Sequence, residues 1–167
     1  MTFKTKVVWL AAVDGAHARF FTIENAGAAL RLTSRGGLQG TRAHTGDLVS
    51  DHAGRVRESM GTTRHAMEPR TDAKVHAEEV FAVTTARELE ALGRSGAFDT
   101  LILAAAPRQL GHLRKMLDPE FREHYVMLEI AGDWTNLPPP ELASNLRLHF
   151  AEELRSIPLP QSSGPLS

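Results

Sequence analysis

Residues 7–33 decide the fold and read VVWLAAVDGAHARFFTIENAGAALRLT. The first part, Val7 to Val13, is continuously apolar and rich in strand formers, which is typical of a strand buried on both faces. A turn signal follows, and Arg19 to Ile23 is a second segment rich in aromatic and β-branched residues. Another turn signal leads to a short third segment, Ala29 to Thr33. The stretch therefore predicts three antiparallel strands joined by tight turns.

The downstream half of the chain alternates between helical and strand patterns. Its predicted elements are a helix from Ala73 to Leu92 capped by Thr71-Asp72, a buried strand from Leu101 to Ala106, a helix opened by Pro107, a strand from Val126 to Ile130 and a final helix begun by Pro138 to Pro140. A meander followed by alternating helices and strands indicates an α/β fold whose mixed sheet has a parallel part. The element order matches the ribonuclease H-like layout. We therefore predict a single domain over residues 1–157, followed by a disordered tail at 158–167 that lacks core-forming residues.

A long segment, residues 34–71, separates the two halves and shows no sustained apolar pattern. Segments of this length without regular structure are usually functional or disordered. Basic residues slightly outnumber acidic ones here, and guanidinium groups bind phosphates bidentately. We therefore expect a flexible loop that binds RNA by contacting the RNA backbone or by recognising the shape of the RNA. The loop has no aromatic residue on which a base could stack. The candidate nucleic-acid contacts are Arg42, Arg55, Arg57, Arg64 and Arg70 in the loop and Arg108 at a helix N-terminus. The alternative is a solvated loop whose arginines pair with its own acids.

Composition limits the remaining classes of function. The chain has 167 residues, no cysteine and a formal net charge of −1. Disulfides, thiolate metal sites and a cysteine nucleophile are excluded, and a reducing cytoplasm is permitted. The apolar run after the first lysines stops at Asp14-Gly15, so it fits a strand better than a signal peptide. We expect no membrane association, since no segment approaches the roughly 20 apolar residues that span a bilayer. We also expect a cytoplasmic protein with no DNA specificity.

Four stretches together resemble a known bacterial family, the proteins required for attachment to host cells. They are residues 13–21 (VDGAHARFF), 47–51 (DLVSD), 61–69 (GTTRHAMEP) and 104–113 (AAAPRQLGHL). The resemblance covers about residues 6–154. This family is grouped with relatives of the archaeal and eukaryotic class-one peptide-release factors. The resemblance therefore implies the ribonuclease H-like fold of the release-factor middle domain.

The release-factor resemblance also implies a role at the ribosome. In those factors a loop after the early strands carries Gly-Gly-Gln into the peptidyl-transferase centre. This chain has Gly36-Gly37-Leu38-Gln39 instead, with a leucine inserted, at the start of the loop rather than its tip. We also expect no stop-codon-reading domain, since the 167 residues are used by the predicted α/β domain and its tail. The resemblance thus implies a non-enzymatic domain that binds ribosome or tRNA without classical termination.

Two other classes of function stay open at this point. The chain could be a protein-interaction module involved in attachment to host cells, homodimeric or with another partner, in which the loop becomes ordered on binding. It could instead be a hydrolase of ester or RNA bonds that uses Gln39, His44 or His65.

Carboxylates and histidines offer two further arrangements, a nuclease site and a metal site. Asp14, Asp99, Glu129 and Asp133 lie near predicted strand ends, but the first strand has no carboxylate in its middle, where a ribonuclease H-type metal site needs one. The loop residues that could ligate a metal are His44, Asp47, Asp51 and His52. Their spacing is generic, so we expect neither a metal nor a cofactor.

Overall fold

The structure is a computed structural model that describes residues 4–40 and 63–162, with side chains of the second range described from residue 71. Five strands form one mixed sheet in the described part of the chain. They are β1 (Val8–Val13), β2 (His17–Ala26), β3 (Ala29–Gln39), β4 (Thr100–Ala105) and β5 (Val126–Ala131). Their order across the sheet is β3-β2-β1-β4-β5. The first three strands are antiparallel neighbours, whereas β4 runs parallel to β1 and β5 parallel to β4.

Four helices connect and cover these strands. They are α1 (Thr63–Arg94), α2 (Pro107–Met116), α3 (Pro119–Tyr125) and α4 (Pro139–Arg155). The last three begin with a proline in the first turn, where its fixed φ fits and its missing N–H costs no hydrogen bond. Within the described residues, none of the helices has both the length and the apolar character needed to cross a membrane.

The core has two halves, one on each face of the sheet. Alternate residues of β1 point to opposite faces, so that Trp9 and Ala11 pack with α1, α2 and α3 while Val8 and Leu10 pack with α4. All six residues of β1 are buried. This explains the continuous apolar run in the sequence, because a strand covered on both faces has no polar side.

The predicted mixed α/β fold is confirmed. The strand order and directions fit the ribonuclease H-like layout, which stays an interpretation of this topology. The short helix α3 was not predicted. Asp118 caps it by accepting a 2.9 Å hydrogen bond from the amide of Glu120.

The predicted boundaries of the long loop are wrong at both ends, because β3 continues to Gln39 and α1 begins at Thr63. Gly36 and Gly37, the first two glycines of this predicted loop, lie at a β-bulge. The register between β2 and β3 shifts here, Gly36 has φ +93°, and a Cβ on Gly37 would collide with the carbonyl oxygen of Ala18. Glycine is required at both positions for conformation and for space, so it marks an irregular strand rather than the end of one.

The predicted disordered tail is wrong for residues 158–162, which pack along the sheet. The amide of Lys6 donates to Pro158 O (2.9 Å), and the amide of Asn25 donates to Pro160 O (2.8 Å). Leu159 is buried against the α4 side of the core. One apolar side chain and the backbone hydrogen bonds therefore hold a segment whose composition looked too polar to fold. Residues 163–167 lie outside the described residues.

Candidate functional site

Two surface features of the fold could serve a function. One is a cleft at the carboxyl ends of the parallel strands, and the other is a groove between β3 and α4.

The cleft is built around the turn that joins β1 to β2. Asp14 follows β1 directly, and its Oδ1 accepts hydrogen bonds from the amides of Ala16 (2.8 Å) and His17 (2.6 Å). The ring Nδ1 of His17 lies 3.3 Å from the same oxygen. An aspartate in this position stabilises the turn by replacing a backbone acceptor. The carboxylate is thereby fixed at the carboxyl end of the central strand β1.

A buried threonine connects Asp14 to a second carboxylate. Thr135 Oγ1 lies 2.9 Å from Asp14 Oδ2 and 2.6 Å from Asp133 Oδ1. One hydroxyl has one proton, so it donates to only one of the two carboxylates at a time. We refer to Asp14, His17, Asp133 and Thr135 as the Asp14 cluster.

The hydrogen bonds of the cluster set the protonation state of Asp14. Burial alone would raise the pKa of Asp14, but hydrogen bonds from Ala16, Thr135 and His17, together with the nearby imidazole of His17, outweigh it. The pKa of Asp14 therefore lies below its usual range. A carboxyl group in this state is a stable anion and is poorly suited to act as a general acid near neutral pH.

The cleft beside the cluster has a volume of about 390 Å³ and an acidic lining. Its acidic lining residues are Asp14, Glu78 and Asp133, and its basic lining residues are Lys74 and His17. This charge pattern does not favour a phosphate. In the part of the chain that the structure describes, no group of three or more histidines and carboxylates is placed to hold a metal ion.

The carboxylates proposed for a nuclease site do not come together as a set of four. The structure joins Asp14 and Asp133 through Thr135. Asp99 precedes β4 whereas Asp14 follows the parallel strand β1, so the two carboxylates lie at opposite ends of the strands. Asp99 accepts a 2.9 Å hydrogen bond from the amide of Val7. Glu129, a residue of β5, forms ion pairs with two arginines of the neighbouring helices. This arrangement gives the nuclease alternative no support.

The structure places some of the predicted catalytic and RNA-contacting residues. The guanidinium of Arg108 lies 3.5 Å from a carboxylate oxygen of Glu78, so it already has an anionic partner. Gln39 is exposed at the end of β3, opposite His17 in the register. Arg64, His65 and Arg70 lie on α1, but their side chains are outside the described atoms. The remaining predicted residues lie outside the described residues: Arg42, His44, Asp47, Asp51, His52, Arg55 and Arg57.

Sequence reasoning missed two residues beside the cleft, Thr135 of the Asp14 cluster and Arg19, which contacts the backbone of Thr135. The guanidinium of Arg19 donates to the carbonyl oxygens of Thr135 (2.9 Å) and Leu137 (2.8 Å) and lies 4.8 Å from the ring centre of Phe21. It thus ties the segment after β5 to β2. The local signal for Thr135 was the Asp-x-Thr spacing, since Asp133 accepts a hydrogen bond from the amide two residues later.

The groove between β3 and α4 is the larger feature, with a volume of about 1040 Å³. Leu30 and Leu32 of β3 and Ala143, Leu148 and Ala151 of α4 supply its apolar lining. Leu148 is 75% exposed, which is unusual for a leucine of this fold. Within the described residues the lining contains arginines but no acidic or aromatic side chain.

Backbone groups of β3 are exposed beside this groove. The hairpin between β2 and β3 has a two-residue turn that starts at Gly27, with φ +69°, and its first pair is Ala26 and Ala29. In such a hairpin the pair next to the turn is hydrogen-bonded and every second pair is not. It follows that Leu30, Leu32 and Ser34 direct their N–H and C=O groups away from β2. No strand of the described chain pairs with that side of β3.

Comparison with known proteins identifies the family of this chain. A model of the family described as "Protein required for attachment to host cells" matches residues 9–146, which include the Asp14 cluster and all of β3. No curated protein matches the chain.

Proposed function

Because the chain belongs to the family of proteins required for attachment to host cells, we propose that it is a protein-binding module that contributes to attachment. Its binding surface is the outer edge of β3 together with the groove between β3 and α4. The observation that carries this proposal is the set of outward backbone groups at Leu30, Leu32 and Ser34 beside an apolar groove.

The physical basis is the demand of a sheet edge for a partner. Unpaired N–H and C=O groups on an edge strand form a ready template for another extended chain. Domains that bind peptides by strand addition take affinity from these backbone groups and specificity from side-chain pockets next to the edge. The exposed Leu148 lies in such a position, because it lines the groove together with residues of β3.

The Asp14 cluster favours a structural role over a catalytic one. Oδ1 of Asp14 accepts hydrogen bonds from two backbone amides, and Oδ2 contacts the Thr135 hydroxyl, which Asp14 shares with Asp133. No side chain of the cluster is a nucleophile activated by a base in the way that hydrolases require. The groove is therefore the stronger candidate.

Adhesion of the cells that produce this protein tests the proposal. The groove variant combines Arg147→Glu with Leu148→Asp, and the matched control combines Arg87→Glu with Val80→Asp on α1, which covers the opposite face of the sheet. We expect the groove variant to reduce the number of cells attached to host cells as far as deletion of the gene does, and the control to retain attachment. Full attachment by the groove variant at normal protein levels would contradict the proposal.

Ribosome or tRNA binding through the loop arginines is a prediction that the same set of proteins can test. Co-sedimentation with ribosomes would be compared between the wild type and a variant with Arg55→Ala, Arg57→Ala and Arg64→Ala. Salt-sensitive co-sedimentation that this variant loses and the groove variant keeps would favour the ribosomal function instead.

A further inference from the structure

We infer that the partner of the β3 edge is an extended, acidic protein segment that adds a sixth strand to the sheet and places alternate apolar side chains in the groove. This inference rests on the proposed function and specifies the chemistry of its partner.

The backbone of β3 specifies an extended partner. Leu30, Leu32 and Ser34 each direct one donor and one acceptor outward, at every second residue. That spacing matches the hydrogen-bonding groups of a β-strand and not those of a helix, whose backbone groups are used internally.

The face of the groove specifies the apolar positions of the partner. The side chains of Leu30 and Leu32 point to the α4 side of the sheet, where they are buried. In a paired strand every second side chain points to the same face, so those of the partner would lie over Ala143, Leu148 and Ala151. Such contact would remove Leu148 from water, and burial of a leucine side chain is favourable by roughly 1.5–3 kcal/mol.

The charge of the edge specifies the remaining positions. Strand β3 carries Arg31 and Arg35 and no acidic residue, and Arg147 is the charged residue that α4 contributes to the groove. Within the described chain Arg147 forms no ion pair, whereas Arg31 donates to Ser162 Oγ at 2.8 Å. Glutamates at the remaining positions would lie on the face of Arg31, and a carboxylate at the end of the row that faces the groove would supply the opposite charge that Arg147 lacks.

The same charges argue against two other occupants. A second copy paired edge to edge would bring the arginines of two β3 strands together, and like charges on neighbouring strands are destabilising. RNA would find phosphate partners in the arginines but no aromatic side chain for stacking among the described lining residues, and the apolar lining would remain unused.

Fluorescence anisotropy with synthetic peptides tests the inference on the full chain. The probe is a labelled ten-residue peptide that alternates valine with glutamate but also has glutamate at the two outermost valine positions, so that the row facing the groove ends in carboxylates. Its controls are the same peptide with lysine for glutamate and the acidic peptide with alternate backbone nitrogens methylated. We expect wild-type protein to bind the acidic probe at least tenfold more tightly than either control. Labelled oligouridylate serves as the RNA probe, and its binding in preference to the acidic peptide would overturn the inference.

Variants of the groove locate the binding. Ser34→Pro removes an outward N–H, whereas Ser34→Ala keeps it and removes only the hydroxyl that accepts from the amide of Gly36. We expect Ser34→Pro and Leu148→Asp to weaken the acidic probe at least tenfold, and Ser34→Ala and Val80→Asp to leave it within twofold. Equal binding by Ser34→Pro and Ser34→Ala would overturn strand addition.

A charge exchange keeps the test independent of folding defects. Arg147→Glu should lose affinity for the acidic peptide and gain affinity for the lysine peptide, a reversal that partial unfolding cannot produce. If adhesion depends on the groove but no peptide binds, the partner chemistry is wrong while the proposed function stands. If adhesion ignores the groove, the proposed function fails whatever the peptides do.

Discussion

At the scale of single residues, two glycines fix the path of β3 past its bulge. A methyl group on Gly37 would meet the carbonyl oxygen of Ala18 on the neighbouring strand, so one strand has to move. We expect Gly37→Ala to lower the free energy of unfolding by about 1–3 kcal/mol, as for other overpacked positions. Urea unfolding followed by circular dichroism measures this.

The control for this prediction is Gly111→Ala on α2. A Cβ at Gly111 meets no heavy atom within 4 Å, and alanine favours a helix over glycine by roughly 0.5–1 kcal/mol. The control should therefore be neutral or stabilising. A Gly37→Ala protein as stable as the wild type would show that β3 does not approach β2 this closely.

The carboxylate of Asp14 predicts a pH dependence of stability. Its pKa is lower in the folded protein than the value of about 3.9 in an unfolded chain. Folding therefore favours the anion. The resulting stabilisation is fully present above the unfolded pKa and is lost as the pH falls through the lower, folded pKa.

Replacement of Asp14 by asparagine tests this sign. The wild type should exceed Asp14→Asn in free energy of unfolding above about pH 5, and the difference should shrink below about pH 4. Asp72→Asn, at an exposed position, controls for the change of net charge. A difference between wild type and Asp14→Asn that stays constant from pH 7 to pH 3 would mean that the carboxylate is not stabilised by folding.

At the scale of elements, the segment after α4 completes the core. Leu159 is 5% exposed and packs in the same cluster as Leu142 and Leu146 of α4. Leu159→Ala should cost about 2–3 kcal/mol of stability, near the lower end for buried leucines. Leu148→Ala, at 75% exposure, should change stability by less than about 0.5 kcal/mol. Thermal unfolding of both variants measures the two effects. Equal losses of stability in Leu159→Ala and Leu148→Ala would contradict the packing of this segment.

Elements with a continuous apolar signal could be predicted from the sequence, and irregular ones could not. Strands β1 and β4 were predicted nearly to the residue because both are buried on both faces. The pattern predicts a loop for the second half of β3, because the Gly36-Gly37 pair of a bulge has the same composition as a turn. Local patterns do not encode where a strand bends or which distant segment covers it.

The candidate site shows the same division between local and long-range information. The position of Asp14 after a buried strand was evident from the sequence, as was that of Asp133. Their connection through Thr135 was not, since the hydrogen bond to Asp14 joins residues 121 positions apart. The groove also depends on packing that brings α4 beside β3, and no sequence motif in α4 predicts this contact.

At the scale of the whole molecule, the β3 edge, which no strand of the described residues covers, has to be kept from pairing with other copies. Natural proteins protect such edges with charged side chains, and here Arg31 and Arg35 lie on β3 and Arg147 lies beside it. The same arginines that would attract an acidic partner should therefore oppose self-association. Both effects follow from one distribution of charge.

Removal of the charges should separate these two effects. We expect a variant with Arg35→Thr and Arg147→Ala to form dimers or larger species at protein concentrations where the wild type is monomeric, because the backbone groups of β3 remain available while the repulsion falls. Sedimentation velocity at low and high salt measures this.

Added salt should also increase self-association of the wild type, since screening weakens repulsion between exposed charges beyond about 10 Å at 0.1 M. Arg87→Ala on the opposite face is the control. A wild-type dimer that pairs through β3 at low salt would show that the arginines do not protect the edge, and the argument for an acidic partner would lose its electrostatic basis.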